Sequence, residues 1–108
     1  MKTFSLNEYQ NKSQAFRLPS ANESYALLGL SGEVGELNSL VAKSIRDGLQ
    51  RNAEFADNMA KELGDILWFV AAIATDMNLS LQQIAVKNLE KLQGRVDRGT
   101  IKGNGDNR

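Results

Sequence analysis

Nine consecutive apolar residues, Ile66 to Ala74, stand between Asp65 and Asp76 in a stretch of helical character. A helix that is apolar on every side has to be surrounded on every side. The chain has 108 residues, the size of one domain. A four-helix protomer of that length has little material with which to enclose such a segment. The segment is therefore expected to pack against another subunit as well as against its own core. It is far shorter than the roughly 20 residues a membrane span needs, so no span is expected.

The rest of the chain reads as helix. There is one proline, Pro19, and no alternating, β-branched strand pattern. Ser5-x-x-Glu8, Ser20-x-x-Glu23 and Ser80-x-x-Gln83 fit the capping box. Phe4 with Tyr9, and Leu79 with Ile84, occupy hydrophobic-staple positions around two of them. Four helices are predicted: Leu6 to Phe16, Ala21 to Arg46, Ala53 to Met77 and Leu81 to Arg95. The second carries a narrow seam of Leu27, Leu30, Val34, Leu37, Val41 and Ile45. The fourth carries Leu81, Ile84, Ala85, Leu89 and Leu92. The predicted fold is all-α, a four-helix bundle-like single domain over residues 1–96 that oligomerises through its helices. Residues 97–108 form a Gly-rich basic tail, a loop or a segment ordered on binding.

The chain has no His and no Cys. This removes Cys/His zinc sites, thiol nucleophiles, Ser-His-Asp triads and disulfides. A catalytic metal would have to be a hard cation on oxygen ligands, Mg²⁺ or Mn²⁺. Thirteen basic and thirteen acidic residues balance to zero, so no stable nucleic-acid partner is expected. The N-terminal residues from Met1 to Glu8 include a Lys but no apolar run behind it. That is not a signal peptide, and a cytoplasmic protein is expected.

Glu33 and Glu36 are three apart on the second helix, and Glu62 and Asp65 three apart on the third. Such pairs point the same way, about 60° apart around the helix. If the two helices run antiparallel, the four carboxylates can converge, and their repulsion then calls for a cation. Gly32 and Gly35 flank the first pair and Gly64 lies within the second. Glycine costs about 1 kcal/mol in a helix interior relative to Ala, so its use here suggests close approach of a helix or ligand. Gly29-x-x-Gly32-x-x-Gly35 is not a dinucleotide fingerprint, because it follows no strand and lies inside a helix. Lys43 lies two turns beyond Glu36, Phe69 one turn beyond Asp65, and Trp68 beside it.

The C-terminal end is basic. Lys87, Lys91, Arg95, Arg98, Lys102 and Arg108 face only Glu90, Asp97 and Asp106. Asn88, Lys91 and Arg95 share one stripe of the fourth helix. These cations suit the negative end of the helix dipole. Together with four carboxylates they also suit a polyphosphate clamp, since phosphoryl transfer depends on charge neutralisation and positioning.

Gly32-Glu33-x-x-Glu36, Lys43, Glu62-Leu63-Gly64-Asp65-Ile66-Leu67-Trp68 and Asn88-x-x-Lys91-Leu92-x-x-Arg95 together resemble the MazG-type nucleotide pyrophosphohydrolases, members of the all-α NTP pyrophosphatase superfamily. The closing Lys102-Gly103-x-Gly105-Asp106-x-Arg108 is similar to the tail of small single-domain members. The resemblance implies Mg²⁺-dependent hydrolysis of nucleoside triphosphates (NTP or dNTP) to monophosphate and pyrophosphate, in nucleotide-pool house-cleaning. It implies that Glu33, Glu36, Glu62 and Asp65 bind metal, with Glu33 or Glu36 also acting on the attacking water. It places Lys43, Asn88, Lys91 and Arg95 near phosphate or nucleotide. Trp68 and Phe69 are candidates for stacking on the base, with core or interface packing the stronger reading for Trp68. A homo-oligomer, dimer or tetramer, is also implied. A base-selective dUTP/dCTP-type enzyme and a phosphoribosyl-ATP pyrophosphatase are alternatives within the superfamily. A non-catalytic helical association module is the alternative outside it.

Overall fold

The computed structural model describes residues 3–108, apart from the side chain of Glu23. Met1 and Lys2, the start of the stretch expected not to be a signal peptide, lie outside the described residues. Four helices succeed one another: α1 Leu6–Gln14, α2 Glu23–Arg46, α3 Ala53–Asp76 and α4 Leu81–Arg98. There is no strand among the described residues, so the fold is all-α. No helix among them is long and apolar enough to cross a membrane.

Local chemistry explains where the helices begin. The Ser5 hydroxyl accepts from the Glu8 N–H at 3.1 Å, and Ser80 accepts from the Gln83 N–H at 3.2 Å, as expected of N-caps. The expected cap at Ser20 is not used. The Ala21 N–H donates to the Leu18 carbonyl, and the Arg17 Nε donates to the Ala21 carbonyl, so residues 18–21 form a turn. Helix α2 starts after it, capped by Asn22, which accepts from the Tyr25 N–H. The Glu23 half of the expected box lies outside the described side chains. Asn52 caps α3 in the same way, at 3.1 Å from the Phe55 N–H. Positive-φ residues succeed three of the helices: Gly48, Asn78 and Gly99, with φ of 63°, 56° and 69°. Helix α4 ends at Arg98, three residues beyond its expected end at Arg95.

Helices α2 and α3 are joined by residues 47–52 and lie antiparallel along each other. They meet tightly at Gly29, where an added Cβ would overlap the Phe69 ring. Phe69 is buried there with Ala26 and Ala72, and Leu30, Trp68 and Ile73 pack around them. The α2 face toward α3 is therefore rotated from the expected seam. Small residues, Ala26 and Gly29, admit the aromatic ring, while Leu27, Val34 and Ile45 are left exposed.

Polar bonds fasten α1 across α3. The Gln10 amide donates to Thr75 Oγ1 at 3.0 Å and to the Leu79 carbonyl at 2.9 Å, and accepts from the Leu81 N–H at 2.8 Å. Trp68 Nε1 donates to the Ser13 carbonyl at 3.0 Å. Arg17 forms a two-pronged bond with Asp76, at 2.7 and 2.9 Å. Helix α4 packs on α1 rather than on the α2–α3 pair.

Within one protomer the Ile66–Ala74 segment is partly covered, with Ile66, Trp68, Val70 and Ile73 half-buried. Phe69, Ala71, Ala72 and Ala74 are buried, Ile73 packs on the core, and only Leu67 is exposed. Three alanines need little cover, and α1 and α2 supply it from two sides. Further uncovered apolar surface lies on Leu27 and Leu28 of α2, on Ile45 and Leu49 at its end, and on Leu89, Leu92 and Val96 of α4. The radius of gyration is 17.0 Å, against about 13 Å for a monomer of this length. The accessible surface is 8078 Å², about 2,000 Å² above that of a folded monomer of 11.9 kDa.

Gly29→Ala is expected to lose about 1–3 kcal/mol, because the Phe69 ring cannot retreat from a packed contact. Gly64 has open space around it, and Gly64→Ala is expected to gain up to about 1 kcal/mol. Urea melts followed by circular dichroism test this. Equal effects at the two sites would show that Gly29 is not the tight contact.

Candidate active site

The Gly29–Phe69 contact sets the register between α2 and α3, and with it the positions of their carboxylates. One turn onward from Gly29 along α2 stands Glu33. One turn back from Phe69 along α3 stands Asp65, and Glu62 stands a further three residues back. Because the helices are antiparallel, both steps move in the same direction, by about 6 Å. Glu33, Glu62 and Asp65 each bring a carboxylate oxygen within 4.8 Å of the others. Glu36, one turn further along α2, is exposed and does not join this inner set.

Electrostatics at the three is unfavourable in the bare protein. Loss of hydration pushes the Glu33 carboxyl above its usual value, and Asp65, Glu62 and Glu36 push it further, with Glu62 sharing a hydrogen bond. Among the described residues, no Lys or Arg pairs with any of these four carboxylates. An all-oxygen set with no counter-charge fits a hard divalent cation, and the three residues can hold one. No helix of the chain approaches the glycines beside them: Gly32, Gly35 and Gly64 all face open space.

Sequence reasoning missed an aromatic pocket beside the carboxylates. Phe4, Tyr9, Lys12, Ser13, Phe16 and Trp68 line it. Burial raises the Tyr9 phenol above its usual value, and the negative charge of Asp65 adds to the shift, which puts the two side chains in one field. The only sequence trace of this pocket is the staple position of Phe4 and Tyr9. Trp68 lines the pocket, as a stacking residue must. Phe69 does not reach it: it is buried against Gly29, edge-on to Trp68 with ring centroids 5.0 Å apart.

The cationic candidates lie apart from the carboxylates within one protomer. Lys43 lines a groove at the α2–α3 connection with Ser44, Asp47, Asn52 and Phe55. Asn88 and Lys91 line a second groove with Ile84 and Lys87, all four from α4. Arg95 is buried. Its guanidinium and the Lys91 ammonium both bind Asp106. The Lys91 hydrogen bond and charge, aided by Arg95, hold the Asp106 carboxyl below its usual value.

Relief of carboxylate repulsion gives a direct test. Asp65→Asn is expected to melt higher than the parent chain when divalent ions are chelated, and to lose the rise in Tm that Mg²⁺ brings. A chain saturated at 100 times the ion's Kd gains about 2.7 kcal/mol. The raised Glu33 carboxyl makes ion binding fail at a higher pH than an ordinary glutamate would, as falling pH protonates it. A Tm independent of divalent ions in the parent chain would exclude the site.

Comparison with known proteins shows the family of the chain. Residues 21–99 match the MazG nucleotide pyrophosphohydrolase domain. The Gene 37 protein of Mycobacterium phage L5 is 45% identical over 87 residues, covering 79% of this chain and 75% of that protein. No solved structure matches the chain. The matched span contains α2, α3 and α4 with all four carboxylates, and the chain belongs to the MazG nucleotide pyrophosphohydrolase domain family.

Proposed function

We propose that this protein hydrolyses a nucleoside triphosphate, NTP or dNTP, to the monophosphate and pyrophosphate, with Mg²⁺ as its metal and Mn²⁺ as a substitute. The observation that carries the proposal is the convergence of Glu33, Glu62 and Asp65 without a counter-charge, in a chain with a MazG domain. In this reading Glu33, Glu62 and Asp65 hold the metal, and Glu36 completes the set from one turn away. A bound divalent ion would neutralise phosphate charge and make a water acidic enough to attack near neutral pH. Glu33 or Glu36 orients that water and accepts its proton. The water oxygen bonds to the α-phosphorus, the bridging bond to the β-phosphate breaks, and pyrophosphate leaves. The aromatic pocket next to Asp65 suits a base, with Trp68 and Tyr9 offering faces. Lys43, Asn88 and Lys91 are the residues left to meet phosphate.

The same reading includes a homo-oligomer, dimer or tetramer. About 2,000 Å² of excess surface per protomer falls in the range of obligate interfaces. An oligomer would also let the α4 cations of one copy approach the carboxylates of another. A cytoplasmic, nucleotide-pool role belongs to this proposal and not to the geometry.

A panel of NTPs and dNTPs with Mg²⁺, products resolved by anion exchange, is the test. Monophosphate and pyrophosphate are expected. Diphosphate with orthophosphate would sink the assignment. Glu36→Gln and Asp65→Asn should each abolish turnover with helical content retained, a loss of at least about 100-fold. Light scattering should find more than one chain per particle, and a monomer that turns over substrate would remove the oligomer from the proposal.

A further inference from the structure

The ten residues after α4 have neither helix nor strand, but side chains tie them down. Gly99 leaves the helix at φ 69°, and Gly103 and Gly105, at φ 125° and 88°, turn the chain back. Arg108 donates to the carbonyls of Thr100, Ile101 and Gly105, at 3.0, 3.1 and 2.6 Å. Arg98 donates to the main-chain oxygen of Arg108 at 2.6 Å. This strap lays Asp106 on two cations of α4. Lys91 Nζ donates to Asp106 Oδ1 at 2.9 Å. Arg95 donates to the Asp106 carbonyl at 2.9 Å and to its Oδ1 at 3.2 Å.

The two cations are in different situations. Arg95 is 7% exposed, and its Nε has no hydrogen-bond partner. A buried guanidinium requires a counter-charge, and Asp106 is its ion-pair partner. Arg95 is thus covered by the strap and anchors it. The Lys91 side chain is 38% exposed and lines the groove with Lys87 and Asn88. Its ammonium has three donors, and Asp106 takes one. A free lysine side chain gives up rotamer freedom whenever a ligand fixes it. Here Asp106 has already fixed it.

We propose that Asp106 is a positioning residue for polyphosphate: anchored on Arg95, the 99–108 strap holds the Lys91 ammonium at the groove it shares with Lys87 and Asn88, ready for a triphosphate chain. The proposal rests on the pyrophosphohydrolase reading, and it moves Arg95 from phosphate contact to strap anchor. Lys87 and Lys91 line the groove, and the charge of Asp106 is shared with the buried Arg95, which leaves the groove attractive to an anion. Preorganising a cation raises affinity by removing the ordering cost from the binding step.

The experiment is calorimetric titration of the full chain with inorganic tripolyphosphate, divalent ions chelated, alongside steady-state kinetics. Asp106→Asn keeps the carbonyl bond to Arg95 and removes the charge. It should weaken tripolyphosphate binding about tenfold. The loss in turnover should fall on KM rather than on kcat, and Asp106→Glu should recover most of it. Lys91→Gln should cost as much, and the double variant no more than Lys91→Gln alone, because Asp106 acts through Lys91. Additive losses, unchanged affinity, or tighter binding in Asp106→Asn would each overturn the proposal, the last by making Asp106 a competitor of phosphate. An Asp106-dependent tripolyphosphate site in a chain that releases no pyrophosphate would support the strap and sink the hydrolase reading. Hydrolysis with Asp106→Asn indistinguishable from the parent chain would sink the strap alone.

Discussion

The Phe69 ring sits on the bare backbone of Gly29, where a Cβ would overlap it. Everything at the candidate site is measured from it. Two antiparallel helices can slide past each other, and a smooth apolar seam resists sliding weakly. A ring seated where no Cβ exists resists it strongly, since a shift along the axis drives the ring into a neighbouring side chain. The carboxylates are one and two turns away. Their convergence is a consequence of this seat, and it is maintained against their mutual repulsion. Packing free energy thus holds a charge arrangement that the charges themselves oppose.

Much of this is legible in the residues. Four helices can be read from capping serines, apolar steps of three and four, and the lack of any strand pattern. The carboxylate pairs can be read from spacing alone, and Glu33, Glu62 and Asp65 do converge. The differences have physical causes. Asn22 displaces Ser20 as the cap because Arg17 holds the intervening turn, a bond with no local sequence signal. The α2 seam departs from its pattern because large apolar residues are not the ones it buries. Ala26 is fully buried, Leu30, Leu37 and Val41 of the expected seam are half-buried, and Leu27, Val34 and Ile45 face outward. Phe69 resembles a ligand contact for the same reason: the partner that explains it is a glycine forty residues away.

The aromatic pocket is the least legible part of the site. Its walls come from the segments before and after α1, from α1 itself and from α3, and nothing in a linear pattern joins them. Bonds between α1 and α3, Trp68 to the Ser13 carbonyl above all, bring them together. The same tie occupies the Trp68 N–H, while its ring lines the pocket.

The exposed leucines of α2 and α4 have a consequence for how such a chain behaves in time. Apolar surface left in water is free energy held in reserve, released by whichever surface reaches it first. If a second copy is the cover, as proposed, a newly made protomer is in a race between that copy and any other apolar surface. In that case dilution lengthens the race, and stability becomes a function of chain concentration as much as of sequence. For a protein with so little interior, abundance is itself a structural parameter.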